Sequence, residues 1–359
     1  MKKLFLFLSL ILFSTSLFSQ EWRYIHPYKG VNIYSKISFT YDDNIFKYSK
    51  EEIDKFVNNI EPYRYPIETY DDLITTIQLH SKIRREILKG NPTTFNIKIK
   101  GNLFYENSEK DYETFSFSIW QKIGKKGHTL IKYFFLPKYF IRYYPDFDID
   151  TPYGYPYFTG CYFMKHLIKI EGGYKIFGSS NISLSLSEEI NDYNTSFNEY
   201  DTEKKSLGIS IGFPLKEFLK ANFSYSFARA TAEGVDEPGE EKNTSDDSDI
   251  SNDEDKINLS LVFDLTKHSP LMFQTGFEFT RRVYTTDKPI LCDPSHSGRE
   301  DKKTNIRLVC SFVPTERLTF QVGYIFEIKD VFSPYNIEQI EEIKNYRRNR
   351  YLANITFSY

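Results

Sequence analysis

Apolar and polar residues alternate with a period of two along most of this 359-residue chain. A β-strand turns successive side chains to opposite faces, so this alternation predicts strands with one apolar and one polar face. Residues 318–328 are typical, because Leu318, Phe320, Val322, Tyr324 and Phe326 all fall on one face. The pattern predicts about fourteen strands, at 31–41, 72–84, 95–105, 115–119, 131–135, 160–171, 181–190, 207–213, 219–227, 257–265, 271–283, 306–312, 318–328 and 351–359.

The connections between these strands alternate in length. Short turns rich in Gly, Pro and polar residues are predicted at 89–92, 124–127, 177–180, 214–217, 266–270 and 314–316. Longer connections lie between them, at about 42–71, 106–111, 144–158, 191–205, 232–255, 286–302 and 330–345. Short turns at one end and long loops at the other, with an even strand number, are typical of a closed antiparallel transmembrane β-barrel with periplasmic turns and extracellular loops. The alternative is an exported soluble β-protein, but such a fold gives no reason for short and long connections to alternate.

The last predicted strand ends on an aromatic residue. Its apolar face carries Tyr351, Ala353, Ile355, Phe357 and Tyr359. This segment resembles the closing strand of bacterial outer-membrane β-barrels, and residues 41–46 resemble a first-hairpin motif of poorly characterised porin-like families. The resemblance implies that Tyr351, Ile355, Phe357 and Tyr359 form a C-terminal assembly signal, read by the barrel-assembly machinery.

The first twenty residues have the order of a secretory signal peptide. Lys2 and Lys3 precede an apolar run from Leu4 to Phe13, and small polar residues follow up to Ser19. We therefore predict a signal peptide at 1–20 and one barrel domain at 21–359, located in the bacterial outer membrane in contact with its lipid. No later stretch approaches the roughly 18 to 20 apolar residues of a transmembrane helix, and the mean hydropathy is -0.48. Aromatic residues make up 17% of the chain, with 28 Tyr and 32 Phe, which suits strands and membrane interfaces.

If the apolar face contacts lipid, the alternate residues face the lumen. The predicted lumen is polar and basic although the whole chain has a net charge of -3, and a basic lining favours anions. The alternative that these bases pair with lumen acids, infolded loops or lipid headgroups stays open. The pore-lining candidates are Lys36, Lys98, Lys100, Lys132, Lys220, Arg282, Arg307, Arg350, Glu278 and Glu327.

Two of the long connections have distinctive sequences. Ser49 and Glu52 form a capping box that predicts a short helix over 50–59, with Ile53, Phe56 and Val57 on one face. We expect this helix to lie over the rim, with folding into the pore as the alternative. The loop 232–255 is strongly acidic and predicted to be a solvated, mobile segment. It has the oxygen ligands for a divalent cation but lacks the EF-hand pattern, so no metal site is predicted.

The sequence favours a porin-like channel for small hydrophilic solutes, anionic ones included. A non-conducting barrel acting as scaffold, adhesin or surface-polymer export partner is the main alternative. A fatty-acid transporter is a third, although no N-terminal hatch is visible. We predict no enzymatic activity, no cofactor and no nucleic-acid binding, because nucleophile motifs, phosphate-binding glycine loops and concentrated basic patches are missing from the sequence. The three cysteines suggest no disulfide framework, and the oligomeric state is unknown.

Overall fold

The structure is a computed structural model, and it describes residues 30–359 except 147–156, 178, 237–238, 244, 246 and 337–338. The predicted signal peptide therefore lies outside the described residues. Within them, no helix is both long and apolar enough to cross a membrane.

Fourteen strands form one closed antiparallel sheet in which each strand pairs with its neighbours along the chain and the last pairs with the first. All fourteen predicted strands are confirmed, and most extend a few residues beyond the predicted limits. The strands are β1 (Val31–Asp42), β2 (Asp72–Leu88), β3 (Asn91–Phe104), β4 (Tyr112–Ile123), β5 (Gly127–Asp146), β6 (Tyr157–Lys175), β7 (Asn181–Tyr193), β8 (Thr202–Lys216), β9 (Leu219–Ala232), β10 (Asn252–Asp264), β11 (Leu271–Tyr284), β12 (Glu300–Thr315), β13 (Leu318–Phe332) and β14 (Tyr346–Ser358). Among the described residues, two short α-helices lie in the loops, α1 (Lys50–Val57) and α2 (Ile340–Lys344).

The alternation of connection lengths is also confirmed. At one end of the barrel the strands are joined by two to six residues, and at the other by seven to 29. The longest connection is 43–71, between β1 and β2. The long-loop end therefore carries most of the chain that lies outside the wall.

The barrel closes between β1 and β14 in an unbroken register. Tyr34 pairs with Ser358, and the pairing continues to Asp42 with Arg350. Beyond it, the N–H of Tyr359 donates to the carbonyl of Ile33 at 2.8 Å. Closure leaves no unpaired sheet edge, which a strand structure needs in order to sit in hydrocarbon.

Large apolar side chains cover the outside of the wall. Ile37 is 41% exposed and Phe39 is 47% exposed, whereas Ser38 between them is only 6% exposed. The same alternation recurs around the barrel, for example at Ile131, Leu207 and Leu308. An apolar exterior with a polar interior is the inverse of a water-soluble protein and suits a wall surrounded by lipid.

Strand β5 departs from the regular pattern. Its register with β6 shifts between Leu136 and Tyr139 and again between Phe140 and Arg142. A bulge adds a residue and re-aims the side chains that follow it. The sequence prediction for this strand stopped at residue 135 because the period of two breaks there.

Candidate functional site: the barrel interior

The start of loop 43–71, together with Asp42 just before it, is bound to β13 and β14. The carboxylate of Asp42 accepts from Nε of Arg348 at 2.8 Å, and the Asn44 side chain donates to the carbonyl of Arg347 at 3.0 Å. Asn44 is 1% exposed. Lys47 then reaches toward β13, where its Nζ lies 3.8 Å from Oε1 of Glu327. This part of the loop is therefore held by β13 and β14.

Helix α1 starts with the predicted capping box. The N–H of Glu52 donates to Oγ of Ser49 at 3.1 Å, and the N–H of Ser49 donates to Oε2 of Glu52 at 2.9 Å. Ile53 and Phe56, predicted to share one face of the helix, pack against a buried apolar cluster. Val57 does not, since it is 63% exposed.

The same Glu52 joins the loop to β5. Nη1 of Arg142 donates to both carboxylate oxygens of Glu52, at 3.0 and 3.1 Å, and both residues are buried. The Arg142 guanidinium also lies 5.3 Å from the centre of the Tyr48 ring. A buried ion pair is stable only if close contact and hydrogen bonds compensate for the loss of hydration of both charges, as they do here.

Lys110, from the connection between β3 and β4, supports the loop from another side. Its Nζ donates to the carbonyls of Phe140 and Ile141, at 3.0 and 2.9 Å, and lies 4.7 Å from the centre of the Phe46 ring. Lys110 is 3% exposed, and this burial lowers its pKa well below 10.5. An ammonium group over an aromatic ring is attracted by the ring's quadrupole.

Loop 43–71 thus connects β13 and β14 to β5, which lies on the far side of β1 to β4 in the strand order. The prediction that its helix lies over the rim is wrong. The physical reason is the inward-facing Arg142, which supplies a buried partner for Glu52, together with the apolar cluster that receives Phe46, Ile53 and Phe56. The loop therefore crosses the inside of the long-loop end.

The predicted pore-lining bases fall into three groups in the structure, namely five without an ion pair among the described residues, two that are paired with an acid, and Lys220 near a short turn. Lys36, Lys98, Lys100, Lys132 and Arg307, here called the inner basic cluster, make no ion pair within the part of the chain that the structure describes. Lys98 lies in the middle of the cluster, because Lys100 is two residues along β3 on the same face, and Lys36 and Lys132 lie two strands away on either side with an offset of two residues. Arg307 lies on β12 between the outward-facing Ile306 and Leu308. Like charges on one inner face repel each other unless an anion compensates them.

The remaining charged candidates are neutralised, apart from Lys220. Glu254 accepts from Arg282 and from Lys204, both at 2.7 Å. Glu278 lies 2.7 Å from Lys256. Glu327 faces Lys47, lies 3.5 Å from Arg350 and accepts from the Tyr346 hydroxyl at 2.6 Å.

Lys220 lies on β9 near the short turn 217–218 and is exposed. The structure therefore separates the predicted set: five bases on β1, β3, β5 and β12 remain without a carboxylate partner, and Arg282 and Arg350 do not. The acid that pairs with Arg282 escaped the sequence analysis, because Glu254 was placed in the acidic loop and belongs to β10.

The acidic loop is anchored rather than free over its described residues. Lys288 Nζ donates to Oγ of Ser245 at 2.7 Å and to the carbonyl of Asp247 at 2.6 Å. The N–H of Asp249 donates to Oδ2 of Asp293 at 2.8 Å, and Asp249 is 1% exposed. The prediction of a solvated segment is therefore wrong for residue 245 and for 247–251, because loop 285–299 supplies the partners. Carboxylate oxygens of Asp236, Glu240 and Asp247 lie within 4.8 Å of one another, which alone does not define a metal site.

Three of the predicted assembly-signal residues lie on β14 next to the barrel closure, and Tyr359 directly follows that strand. Tyr351, Phe357 and Tyr359 are 54%, 42% and 49% exposed, and Ile355 is partly exposed. Their side chains form part of the apolar exterior. The three cysteines are free thiols, and Cys161 is buried.

A closed fourteen-stranded barrel with an apolar exterior, a polar interior and one short-turn end is the architecture of transmembrane β-barrels. The chain has the fold of a transmembrane β-barrel protein. No protein-family model and no curated protein matches the sequence.

Several solved outer-membrane channels are similar to this barrel in fold. One is an anion-selective porin from Comamonas acidovorans, at 8% identity and a TM-score of 0.43 over 92% of this chain and 98% of that one. Another is the outer membrane channel DcaP of Acinetobacter baumannii, at 12% identity and a TM-score of 0.49 over 93% and 99%. OccAB3 of Acinetobacter baumannii is a third, at 11% identity and a TM-score of 0.42 over 92% and 99%. Because identity is this low, function has to be argued from the side chains of this chain itself.

Proposed function

We propose that this protein is an outer-membrane channel for small hydrophilic solutes and that it prefers anions. The inner basic cluster carries the proposal. Five cationic side chains face the interior without a carboxylate partner among the described residues, whereas the acids Glu254, Glu278 and Glu327 are each held by at least one base. Fixed positive charges in a narrow, low-dielectric passage raise the local concentration of anions and repel cations.

Loop 43–71 has a defined place in this channel. It narrows the long-loop end by crossing between β13–β14 and β5, as the contacts of Asn44, Lys47 and Glu52 indicate. Solutes would pass beside this loop and then meet the inner basic cluster. We propose that β14 contacts membrane lipid and the barrel-assembly machinery through Tyr351, Ile355, Phe357 and Tyr359. The absence of enzymatic activity, of cofactors and of nucleic-acid binding stays part of this proposal.

Reconstitution into planar bilayers under a KCl gradient tests the proposal. We expect discrete conductance steps and a reversal potential of the sign that anion permeation gives. Replacing Lys36 and Arg307 with Gln should shift this potential toward the cation side, because two fixed charges are lost. The matched control is Lys267→Gln, since Lys267 is exposed on the short turn 265–270 and pairs with Glu217 at 3.3 Å.

Two results would overturn the proposal. Cation selectivity in the wild-type channel would mean that the inner basic cluster does not set the field along the pore. A folded barrel without any conductance steps would instead favour the non-conducting scaffold, whose support is the packing of the long loops against one another through Lys288 and Asp293.

A further inference from the structure

A cavity of about 510 Å³ lies against the inner wall formed by β2 to β6. It lies next to the apolar cluster under loop 43–71, because Tyr112 lines the cavity and also packs against that cluster. Its volume is within the range of roughly 300–1,000 Å³ that small-molecule sites occupy. A solute that passes beside the loop would reach this cavity.

One part of the cavity lining is cationic. Lys98, Lys100, Lys132 and Lys165 all contribute to it. Lys165 is neutralised by Glu189 at 2.7 Å, while the other three are members of the inner basic cluster. Gln78, Thr114 and Ser116 add hydrogen-bonding groups beside them. A carboxylate in this cavity would gain charge-assisted hydrogen bonds and relieve the repulsion among the lysines.

The other part of the lining is aromatic. The ring centres of Tyr112 and Tyr139 are 5.1 Å apart, and those of Tyr139 and Phe163 are 5.5 Å apart. The row continues to Tyr193, 5.3 Å from Phe163, so it runs across β4, β5, β6 and β7. Phe134 and Leu136 add to the apolar side of the cavity.

This aromatic row depends on an irregularity of the wall. Tyr139 follows the bulge after Leu136, and this bulge turns its ring to the same side as Tyr112 and Phe163. A pore for inorganic ions has no use for a row of rings on its wall, since the inner face of a transmembrane barrel is ordinarily polar. Bulges that re-aim side chains are frequent beside functional sites.

We propose that the cavity binds a small organic anion that joins a carboxylate to an aromatic ring. The carboxylate would lie against Lys98, Lys100 and Lys132, and the ring along Tyr112, Tyr139 and Phe163. This inference rests on the proposed channel function, because the lumen is the route to the cavity. It goes beyond that function in naming the chemical class of the solute.

Equilibrium binding to the refolded barrel in detergent micelles tests the site without requiring conductance. The probe is 4-fluorobenzoate, followed by ¹⁹F NMR. Acetate supplies the charge without the ring, benzyl alcohol supplies the ring without the charge, and maltose represents neutral sugars. We expect 4-fluorobenzoate to bind more tightly than all three competitors.

Variants on the two parts of the lining should each weaken binding. Lys98→Gln and Lys132→Gln should raise Kd about tenfold, which corresponds to losing one charge-assisted contact. Tyr139→Leu should also weaken binding, while Lys132→Arg and Tyr139→Phe should restore most of it by keeping the charge and the ring. Lys220→Gln is the matched control, because Lys220 does not line the cavity. Heat-modifiable migration in SDS gels shows that each variant is folded.

The outcomes separate this inference from the proposed function. Equal binding of acetate and 4-fluorobenzoate, or tighter binding of maltose, would overturn the inference even if the bilayer experiment shows an anion-selective channel. Ring-dependent binding that Lys98→Gln and Tyr139→Leu weaken would support the inference even if no conductance is found, in which case the channel proposal alone fails. No detectable binding to a folded, conducting barrel would also overturn the inference.

Discussion

Arg142 on β5 donates to both carboxylate oxygens of Glu52 on α1, at 3.0 and 3.1 Å. Glu52 also completes the cap of its own helix by accepting from the N–H of Ser49. One carboxylate therefore both starts the helix and docks it to the wall. If this contact holds loop 43–71 in place, breaking it should free the loop without unfolding the barrel.

Arg142→Met should release loop 43–71. The substitution keeps an unbranched side chain but removes the guanidinium, so the Glu52 carboxylate stays buried without its cationic partner, and loss of one member of a buried pair costs about 3–5 kcal/mol. We expect the loop to become accessible to protease, and single-channel recordings to show larger or flickering conductance. Glu52→Gln should have a smaller effect, since its amide oxygen still accepts from Ser49.

The control for this release is Arg281→Gln. Arg281 forms an ion pair with Glu300 at 2.9 Å, but its side chain is 47% exposed, and such pairs contribute about 1 kcal/mol or less. Protease resistance of loop 43–71 equal to wild type in Arg142→Met would show that other contacts hold the loop.

The outward face of β13 should tolerate charge much less well than its inward face. Val322 is 60% exposed on the outside, whereas the neighbouring Gln321 donates inward to Oγ of Ser311 at 2.9 Å. Val322→Arg should destabilise the folded barrel in lipid by about 2–4 kcal/mol, as for an arginine placed near the bilayer centre. Gln321→Arg should have little effect, and Phe320→Arg, closer to the short turn, should be intermediate. Denaturant titrations in vesicles measure all three, and equal effects would mean that the two faces are reversed.

Tyr359→Ala should separate assembly from stability. The backbone of Tyr359 pairs with Ile33 at 2.8 Å, and alanine keeps that hydrogen bond. If the aromatic ring is read by the assembly machinery, the variant should accumulate less in the cell membrane yet refold normally in vitro. Phe332→Ala is a suitable control, because Phe332 is also exposed, at 57%, but lies outside β14. If Tyr359→Ala reduces refolding in vitro as much as accumulation in the cell membrane, the Tyr359 ring has a purely structural role.

Loop 285–299 should loosen in mild acid. His296 is buried, and its ring nitrogen lies 2.9 Å from Oδ1 of Asp293. Burial lowers the pKa of His296 below 6.5, the charges of Arg299 and Lys344 lower it further, and Asp293 opposes both effects. The folded loop therefore holds neutral histidine, whereas the unfolded loop takes up a proton as the pH falls through about 6.5.

The stability of this loop should accordingly be lost as the pH decreases from about 6.5 toward the lower pKa of the folded state. Limited proteolysis at about pH 7.5 and about pH 5.5 should show faster cleavage of the loop at the lower pH, and His296→Gln should remove most of the difference. The carboxyl of Asp293 does not confound this range, because its own pKa is lowered below 3.8. Cleavage that is independent of pH in the wild type would contradict the prediction.

The wall could be predicted from the sequence because its main determinant is local. A period of two is visible in each strand, and a side chain such as Phe39 needs only lipid as its partner. The prediction stopped early on β5, where the bulges after Leu136 and Phe140 break the period. Tyr139 was consequently not predicted, although its ring joins Tyr112 to Phe163 in the aromatic row.

The interior depended on contacts between distant parts of the chain. The capping box of Ser49 and Glu52 lies within four residues and was predicted, but its docking partner Arg142 is 90 residues from Glu52. Ion pairs in the interior could not be predicted either. Arg282 is neutralised by Glu254, and the side chain of Glu254 faces the lumen only because Glu254 belongs to β10 and not to the loop. No local pattern contains that information.

Loop 43–71 has a mechanical consequence as well as a chemical one. The loop spans the cross-section of the barrel like a chord of a circle. Asn44 fixes it to β14, Lys47 to β13 and Glu52 to β5. A hydrogen-bonded wall resists stretching along its circumference but flattens easily, and a chord resists that flattening in the direction it spans. The barrel should therefore keep its cross-section under lateral bilayer pressure as long as the Arg142–Glu52 contact holds.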